Sequence, residues 1–315
     1  MSLLEVEHLH KQYGKFIALH DLSFEVGAGE VLGLLGPNGA GKSTAMMILA
    51  GLLPADGGTV RIDGQPFDQD PTRLKQTLGV VPQGLAIYPD LTGSENLRFF
   101  GGLYGYTGQE LGVRTAKALE DVGLSDWGNK FVRTYSGGMK RRLNFAVGVM
   151  HEPRLVILDE PTVGVDPQSR NHLLECVRAL TRRGVAVIYC SHYMEEIEAL
   201  CERVAIVDQG RLLAYGNLNE LLDRSRRDLE LRVQKWSEPL GRRLAGLVTL
   251  ERVEAGEALL TVPRAATGGG SDITSRLTEI LEAVRAEHGV VQTIQTKEYN
   301  LERLFLEKTG RRLRD

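Results

Sequence analysis

The chain has 315 residues, 42% of them hydrophobic and 25% charged, with a formal net charge of -3. This is ordinary globular composition, long enough for one large domain or two smaller ones, and it carries no global basic field that would argue for nucleic acid. Cys176, Cys190 and Cys201 form neither a metal spacing nor a disulfide framework, and a reducing cytosol suits them.

Local basic pairs (Arg141-Arg142, Arg182-Arg183, Arg226-Arg227, Arg311-Arg312) read as solvated faces or helix ends. The start, Met1-Ser2-Leu3-Leu4-Glu5, lacks the basic region and apolar core of a signal peptide. No apolar run approaches the roughly 20 residues of a spanning helix, so work at a membrane would need a partner.

In chain order, residues 3–9 predict a strand with Leu4 and Val6 on one side. Lys11-Gln12-Tyr13-Gly14 predicts a turn, and Leu22, Phe24 and Val26 alternate as a half-buried strand. Val31 to Leu35 is an apolar run suited to a buried strand. It leads into Gly36-Pro37-Asn38-Gly39-Ala40-Gly41-Lys42-Ser43-Thr44, which fits the phosphate-binding pattern G-x-x-x-x-G-K-[ST]. A helix continues from Ser43 to Ala50, with Gly51 as its stop. Glycines let such a loop turn its N–H groups onto an anion, and the helix start adds partial positive charge. Lys42 brings a full charge, and the Ser43 hydroxyl suits Mg²⁺. Val60 and Ile62 enter a turn at Asp63-Gly64. Gly79-Val80-Val81-Pro82-Gln83 is a short strand ended by proline, with Gln83 at its exit.

From about 92 to 151 the patterns are helical. Thr92 with Glu95 is a capping box opening Ser94 to Tyr104; Leu111, Thr115, Leu119 and Val122 have helical spacing; Ser136-Gly137-Gly138 opens a helix to about Met150. Strands return at Leu155–Leu158, with Asp159-Glu160 at the end, and at Val185–Tyr189, with Ser191-His192 at the end. Helices are expected at Gln168–Thr181 and Met194–Leu200, and Val204–Val207 pairs with Arg211–Ala214 around Asp208-Gln209-Gly210. Strands alternating with helices imply an α/β core with a mostly parallel sheet, in which ligands sit beyond the carboxyl ends of strands. The phosphate loop, Gln83, Asp159-Glu160 and His192 all fall on that edge.

Residues 218–228 form a charged candidate linker. Beyond it, strands at 229–233, 247–250, 258–262 and 290–294, a loop at Thr267–Asp272, and helices at Ile273–Ala286 and Asn300–Lys308 predict a small α+β domain.

At the sheet edge, Asp159 suits a metal near phosphates and Glu160 suits the deprotonation of a water; the alternative is two solvated acids. Gln83 is a metal or water ligand or a surface amide; His192 is a donor to a phosphate or water or a structural histidine. Tyr13 stacks on a base or packs in its turn, and Ser136-Gly137-Gly138 meets an anion or simply caps a helix.

As a set and in this order, over about residues 1–225, these motifs resemble an ABC transporter ATP-binding subunit. Gly36 to Thr44 is similar to its Walker A, Gln83 to the Q-loop, and Tyr135-Ser136-Gly137-Gly138-Met139 to the signature. Leu155 to Glu160 is similar to the Walker B with its catalytic Glu, Val165-Asp166-Pro167 to the D-loop, His192 to the switch histidine and Tyr13 to the adenine-stacking aromatic. Tyr135 and Met139 stand where Leu and Gln are most widespread, and Val163-Gly164-Val165 departs before the D-loop. These variants, the stretch Tyr88 to Thr92 with Glu95 to Phe100, and the chain's end at Asn300–Gly310 look like the ABC-2 type exporter branch.

The resemblance implies a P-loop NTPase core over 1–225, with an antiparallel β subdomain, a helical subdomain at about 84–151 and an accessory α+β domain at 226–315. It implies ATP as substrate and Mg²⁺ held by Ser43, Gln83 and Asp159. With one phosphate loop and one signature per chain, it implies a second ATPase subunit, as a homodimer or with a relative. It further implies a membrane permease contacted through the 84–106 surface, and a place on the inner face of the cell membrane. Nucleic-acid-acting ATPases of this class tend to carry two cassettes or a long coiled-coil insertion, and a GTPase would need an N-K-x-D motif; Asn129-Lys130-Phe131-Val132 lacks the Asp.

Overall fold

The computed structural model describes residues 2–67, 75–222, 228–262, 273–297 and 300–310. Residues 223–227 of the expected linker and the Thr267–Asp272 loop lie outside them.

The chain begins with a long antiparallel hairpin, β1 (Ser2–Tyr13) and β2 (Phe16–Gly27). Tyr13 pairs with Phe16, so the turn is Gly14-Lys15, with Gly14 at φ +58°. The expected turn at Lys11–Gly14 is thereby corrected: Lys11, Gln12 and Tyr13 belong to the strand, because a two-residue hairpin needs positive φ at its first turn position and Gly14 supplies it. Next come β3 (Val31–Leu35), buried throughout, α1 (Lys42–Leu49), β4 (Gly57–Ile62), β5 (Gln65–Pro66) and β6 (Leu78–Val81). The last of these stops at Val81 because Pro82 has no N–H for the ladder, which leaves Gln83 at the strand's exit.

The helical region contains α2 (Gly93–Leu103), α3 (Gly108–Asp121) and α4 (Gly137–Val149). Its first helix carries the full capping box: Glu95 N–H donates to Thr92 Oγ1 at 3.2 Å, and Thr92 N–H donates to Glu95 Oε2 at 2.8 Å. The chain returns to the sheet through β7 (Leu155–Asp159), α5 (Pro167–Arg182), β8 (Ala186–Ser191), α6 (Met194–Leu200), β9 (Arg203–Asp208) and β10 (Arg211–Asn217), with a short α7 (Leu218–Leu221) after it.

The ten strands form one sheet in the order β5-β4-β1-β2-β10-β9-β3-β8-β7-β6. The run β9-β3-β8-β7-β6 is parallel, whereas β5, β4, β1 and β2 pair antiparallel. Parallel strands read as continuous apolar runs because both faces are covered: Leu155 to Leu158 and all of β3 are buried. The site follows from this order, since β3, β8, β7 and β6 lie side by side and present their carboxyl ends on one edge.

Residue contacts divide the chain into two compact units, Met1–Leu221 with Lys308–Asp315, and Leu222–Glu307. The second contains β11 (Asp228–Gln234), α8 (Glu238–Arg243), β12 (Thr249–Glu254), β13 (Glu257–Val262), α9 (Ile273–Ala286) and β14 (Val290–Lys297) in a four-stranded antiparallel sheet ordered β12-β13-β11-β14. Leu231, Val233, Ala258, Leu260 and Val262 of this sheet meet Ile280, Ala283 and Val284 in its core. The last helix is α10 (Leu301–Thr309).

Candidate functional site

The loop between β3 and α1 is held from below. Ala40 N–H donates to Pro37 O at 3.2 Å, and Gly210 N–H donates to Ala40 O at 2.9 Å. Gly36 passes so close to β9 that a Cβ would lie 2.2 Å from Val207 O, and Gly41 sits at φ +104° against Ala18 O. Gly41 brings no side chain to cap α1, so the first N–H groups of that helix are suited to an anion. Asn38, Gly39 and Ser43 are exposed, Pro37 and Thr44 half-buried, and Ala40 buried. Lys42 is buried, and its Nζ donates to Gly36 O at 2.6 Å and Pro37 O at 3.0 Å. Burial lowers its pKa, while Glu160 and Asp159 nearby favour its charged form.

The acids stand on the neighbouring strand end. Asp159 closes β7, and Glu160 then turns out of the strand at φ +45°, a conformation side-chain-bearing residues rarely adopt, with its N–H donated to Cys190 O of β8 at 2.9 Å. The turn brings its buried carboxylate to two partners. Gln83 Nε2 donates to Oε2 at 3.1 Å, and His192 Nδ1 stands 3.1 Å from Oε1. The Asp159 carboxyl is raised above the usual range by burial first and by Glu160 second, with Lys42 opposing.

An Asp159 anion disfavoured by burial beside a phosphate loop is an oxygen suited to a cation. Mg²⁺ takes few protein ligands and keeps phosphate and water oxygens, so no dense acidic cluster is required; none occurs among the described residues. Ser43, Gln83 and Asp159 carry the kind of oxygens that Mg²⁺ takes.

Other expected site residues stand apart. Tyr13 is a strand-end residue, 45% exposed, with Lys11 Nζ 5.7 Å from its ring centroid. Ser136 caps α4 by accepting from Met139 N–H at 3.2 Å, and Asp166 caps α5 by accepting from Ser169 N–H at 2.9 Å. Among the described residues no hydrogen bond or ion pair joins Tyr13, Ser136–Met139 or Asp166 to the Gly36–Thr44 loop. Gly138 is a packing glycine, since a Cβ there would lie 2.1 Å from Ser169 Oγ; Gly137 has only Gly164 O at 3.8 Å. The unusual Tyr135 is buried, and its hydroxyl donates to Trp127 O at 2.6 Å.

The reading of Arg141-Arg142 as a solvated pair is corrected. Arg141 donates to the carbonyls of Gln83 and Val163, and Arg142 donates to Val122 O at 2.8 Å and Gly123 O at 3.2 Å. Sequence reasoning also passed over Thr162 and Glu196, buried polar residues linking the loops after β7 and β8. The one available signal was an acid four residues past His192 on a helix whose Ile197 is buried.

The family described as ABC transporter matches residues 19–163. The linearmycin resistance ATP-binding protein LnrL of Bacillus subtilis is 44% identical over 315 residues, 99% of this chain and 100% of that protein. A Nod factor export ATP-binding protein I from Cupriavidus pinatubonensis is 35% identical, covering 100% of this chain and 93% of its own. Among solved structures, cbiO1 of Clostridium perfringens, part of the ABC transporter complex cbiONQ, superposes with TM-score 0.66 at 27% identity over 71% of this chain and 92% of its own. A strand, phosphate loop and helix beside a buried acid, in a chain aligned end to end with LnrL, make this protein a member of the ABC transporter ATP-binding family, an ATPase of the ABC-2 exporter branch.

Proposed function

We propose that this ATPase hydrolyses ATP at the shared edge of β3, β6, β7 and β8, with Glu160 as the general base. The observation that carries the reading is the meeting of Gln83 and His192 on the Glu160 carboxylate, close enough to Lys42 for its charge to be felt there. Attack on a γ-phosphate needs positioning and charge compensation above all. Gly36 to Thr44 and Lys42 hold the phosphates. Gln83 and His192 orient the Glu160 carboxylate, which takes a proton as water oxygen bonds to phosphorus; the β–γ bridging bond breaks, leaving ADP and phosphate. Ser43, Gln83 and Asp159 would hold Mg²⁺, which would supply charge neutralisation to the phosphates when bound, and Tyr13 offers its exposed ring to the adenine.

The site is half of a pair. Exposed Ser136 and Gly137, with Gly138 and Met139, face the nucleotide of a second ATPase subunit, most simply another copy of this chain, and Asp166 lies in the loop packed against them. Hydrolysis is coupled to export by a separate membrane permease, which places the chain on the cytoplasmic face of the membrane; among the described residues no helix is long and apolar enough to cross it. The permease contact is the aromatic surface of Tyr88, Phe99 and Phe100, whose rings pack on one another with centroids 5.1 to 6.1 Å apart while Tyr88 and Phe99 stay exposed. The ATPase work belongs to residues 1–225, and 226–315 is an accessory domain. Nucleic acid is no partner.

The test is Glu160→Gln in the full chain. ATP binding is retained, a dimer accumulates with ATP, and turnover falls by about 10²–10⁴-fold. An unchanged turnover removes Glu160 from the chemistry.

A further inference from the structure

Donors from three parts of the chain converge on one buried carboxylate outside the site described above. Glu196, on α6, is 2% exposed. Thr162 Oγ1 lies 2.8 Å from both of its oxygens, the Tyr189 hydroxyl donates to Oε2 at 2.8 Å, and Ser191 Oγ donates to Oε2 at 3.2 Å. Arg170 Nε, on α5, stands 3.2 Å from Oε1. The identities of these partners matter. Thr162 follows Glu160 by two residues, and Ser191 immediately precedes His192. A second layer extends the network: Tyr193 N–H donates to Ser191 Oγ at 2.9 Å, and the Tyr193 ring lies 4.1 Å from the His192 ring and 5.1 Å from the Arg170 guanidinium.

An ionised carboxylate is costly to bury unless it is paired and fully hydrogen-bonded. The packing of α6 does not call for one. Ile197, the next residue, already fills the contact with β3, so closely that a Cβ on Gly33 would lie 2.9 Å from it. The acid instead ties together two loops that leave adjacent strands, each carrying one member of the Glu160–His192 pair. Because Glu160 sits at a positive φ, its carboxylate direction depends on the loop after it being held.

We propose that Glu196 is a positioning residue for hydrolysis: by binding Thr162 and Ser191 together it fixes the Glu160 carboxylate and the His192 imidazole in one register. This rests on the reading of Glu160 and His192 given above. The partners of the Glu196 carboxylate are Thr162, Tyr189, Ser191 and Arg170, none of them a residue assigned to the nucleotide or the attacking water, so it acts on the rate of the chemical step and not on ATP affinity.

The test uses the full chain with Glu196→Gln and, independently, Thr162→Val and Thr162→Ser, measuring kcat, KM and equilibrium ATP binding per folded molecule. Glu196→Gln and Thr162→Val lower kcat by roughly ten- to a hundredfold, the range expected when reacting groups are misplaced from a distance. The KM and the dissociation constant for ATP stay within about twofold. Thr162→Ser, which keeps the hydroxyl, keeps the rate, and the Glu196→Gln/Thr162→Val double variant is no slower than the slower single. Wild-type kcat in both Glu196→Gln and Thr162→Val overturns the proposal, as does a loss of ATP affinity in step with kcat. If Glu196→Gln fails to fold, the contrast between Thr162→Val and Thr162→Ser decides. Glu160→Gln, assayed alongside, separates the two failures: full turnover there removes the reading of Glu160, whereas an inactive Glu160→Gln beside fully active Glu196→Gln and Thr162→Val removes the positioning role alone.

Discussion

His192 Nδ1 stands 3.1 Å from Glu160 Oε1, while Gln83 donates to the other oxygen of the same carboxylate. Residues 77 and 32 positions away in sequence thus meet one acid from two sides, because β6, β7 and β8 are neighbours in the sheet. Removing either partner frees the carboxylate without removing the phosphate loop. His192→Ala is expected to lower kcat by about 10²-fold with ATP affinity little changed, the signature of a contact that matters in the transition state. Steady-state kinetics with a parallel ATP-binding titration checks this; a rise in KM at unchanged kcat contradicts it.

The two glycines of the Ser136-Gly137-Gly138 turn have different jobs, and alanine separates them. At Gly138 a Cβ would lie 2.5 Å from Ser169 Cβ and 3.0 Å from Asp166 Oδ2, a conflict between two helix starts in which Ser169 Cβ can move only with its backbone. Gly138→Ala should destabilise the protein by about 1–3 kcal/mol in urea or thermal unfolding. At Gly137 a Cβ would meet only Gly164 O at 3.8 Å, an ordinary contact, and Gly137→Ala should remain within about 1 kcal/mol of wild type. If Gly137→Ala nonetheless abolishes turnover in the dimer, the reason is nucleotide access and not folding.

The phosphate loop was legible in the sequence because its chemistry is local: strand, glycines, lysine and helix start lie within about fifteen residues, and each is required by backbone geometry. The buried parallel strands were legible because coverage on both faces leaves uninterrupted apolar runs. What the sequence could not show is pairing across the sheet. Nothing in Gln83 or His192 alone announces Glu160, and nothing in Glu196 announces Thr162, since these meetings depend on strand order. Arg141 and Arg142 were misread for a related reason. An arginine pair on a polar helix looks solvated until the carbonyls it grips are placed, and those belong to segments at Gln83, Val122, Gly123 and Val163. Tyr13 was assigned to a turn because the glycine after it was taken as the end of the turn, whereas Gly14 is its first position.

His151 predicts a pH dependence of stability. It is buried, stacks on Tyr104 with ring centroids 3.9 Å apart, and its Nε2 lies 3.1 Å from Leu78 O, so Nε2 carries the proton and Nδ1 is bare. Burial lowers its pKa below the ordinary 6.5 against the opposing hydrogen bond to Leu78 O, and Arg114 pushes the same way as burial. In the interval between the folded value and 6.5 the unfolded chain binds more protons. Stability therefore falls as pH drops through 6.5 and levels off below the folded pKa. His172, lowered mainly by burial too, adds a contribution of the same sign. His151→Phe keeps the stack and loses the titration. It should cost about 1 kcal/mol near pH 7.5 through the missing hydrogen bond, yet lose less than wild type between about pH 7.5 and 5.5 in urea unfolding. Parallel slopes for the two proteins would contradict the assignment.

Arg141 and Arg142 offer the last contrast, because adjacent residues on α4 clamp different segments of the chain. Arg141 holds the carbonyls of Gln83 and Val163, the segments that flank Glu160 in space and in sequence; Arg142 holds Val122 and Gly123, where α3 ends. A guanidinium fork can serve two carbonyls from one fixed plane, and a lysine ammonium on a flexible stem holds that geometry poorly. Arg141→Lys should therefore loosen the segment after β6. Ala86 N–H, bonded to Asn144 Oδ1 at 2.8 Å, and Tyr88 N–H, bonded to Asn96 Oδ1 at 2.8 Å, are its reporters by hydrogen exchange. Turnover should fall by roughly fivefold, about the 1 kcal/mol of one hydrogen bond, since Gln83 then orients Glu160 less often. Arg142→Lys should instead raise exchange around Leu124, whose N–H donates to Leu119 O at 2.8 Å, and leave turnover near wild type. If Arg142→Lys slows hydrolysis as much as Arg141→Lys does, the carbonyl contacts are not what separates the two arginines, and Arg141 has no particular hold on the Gln83 segment.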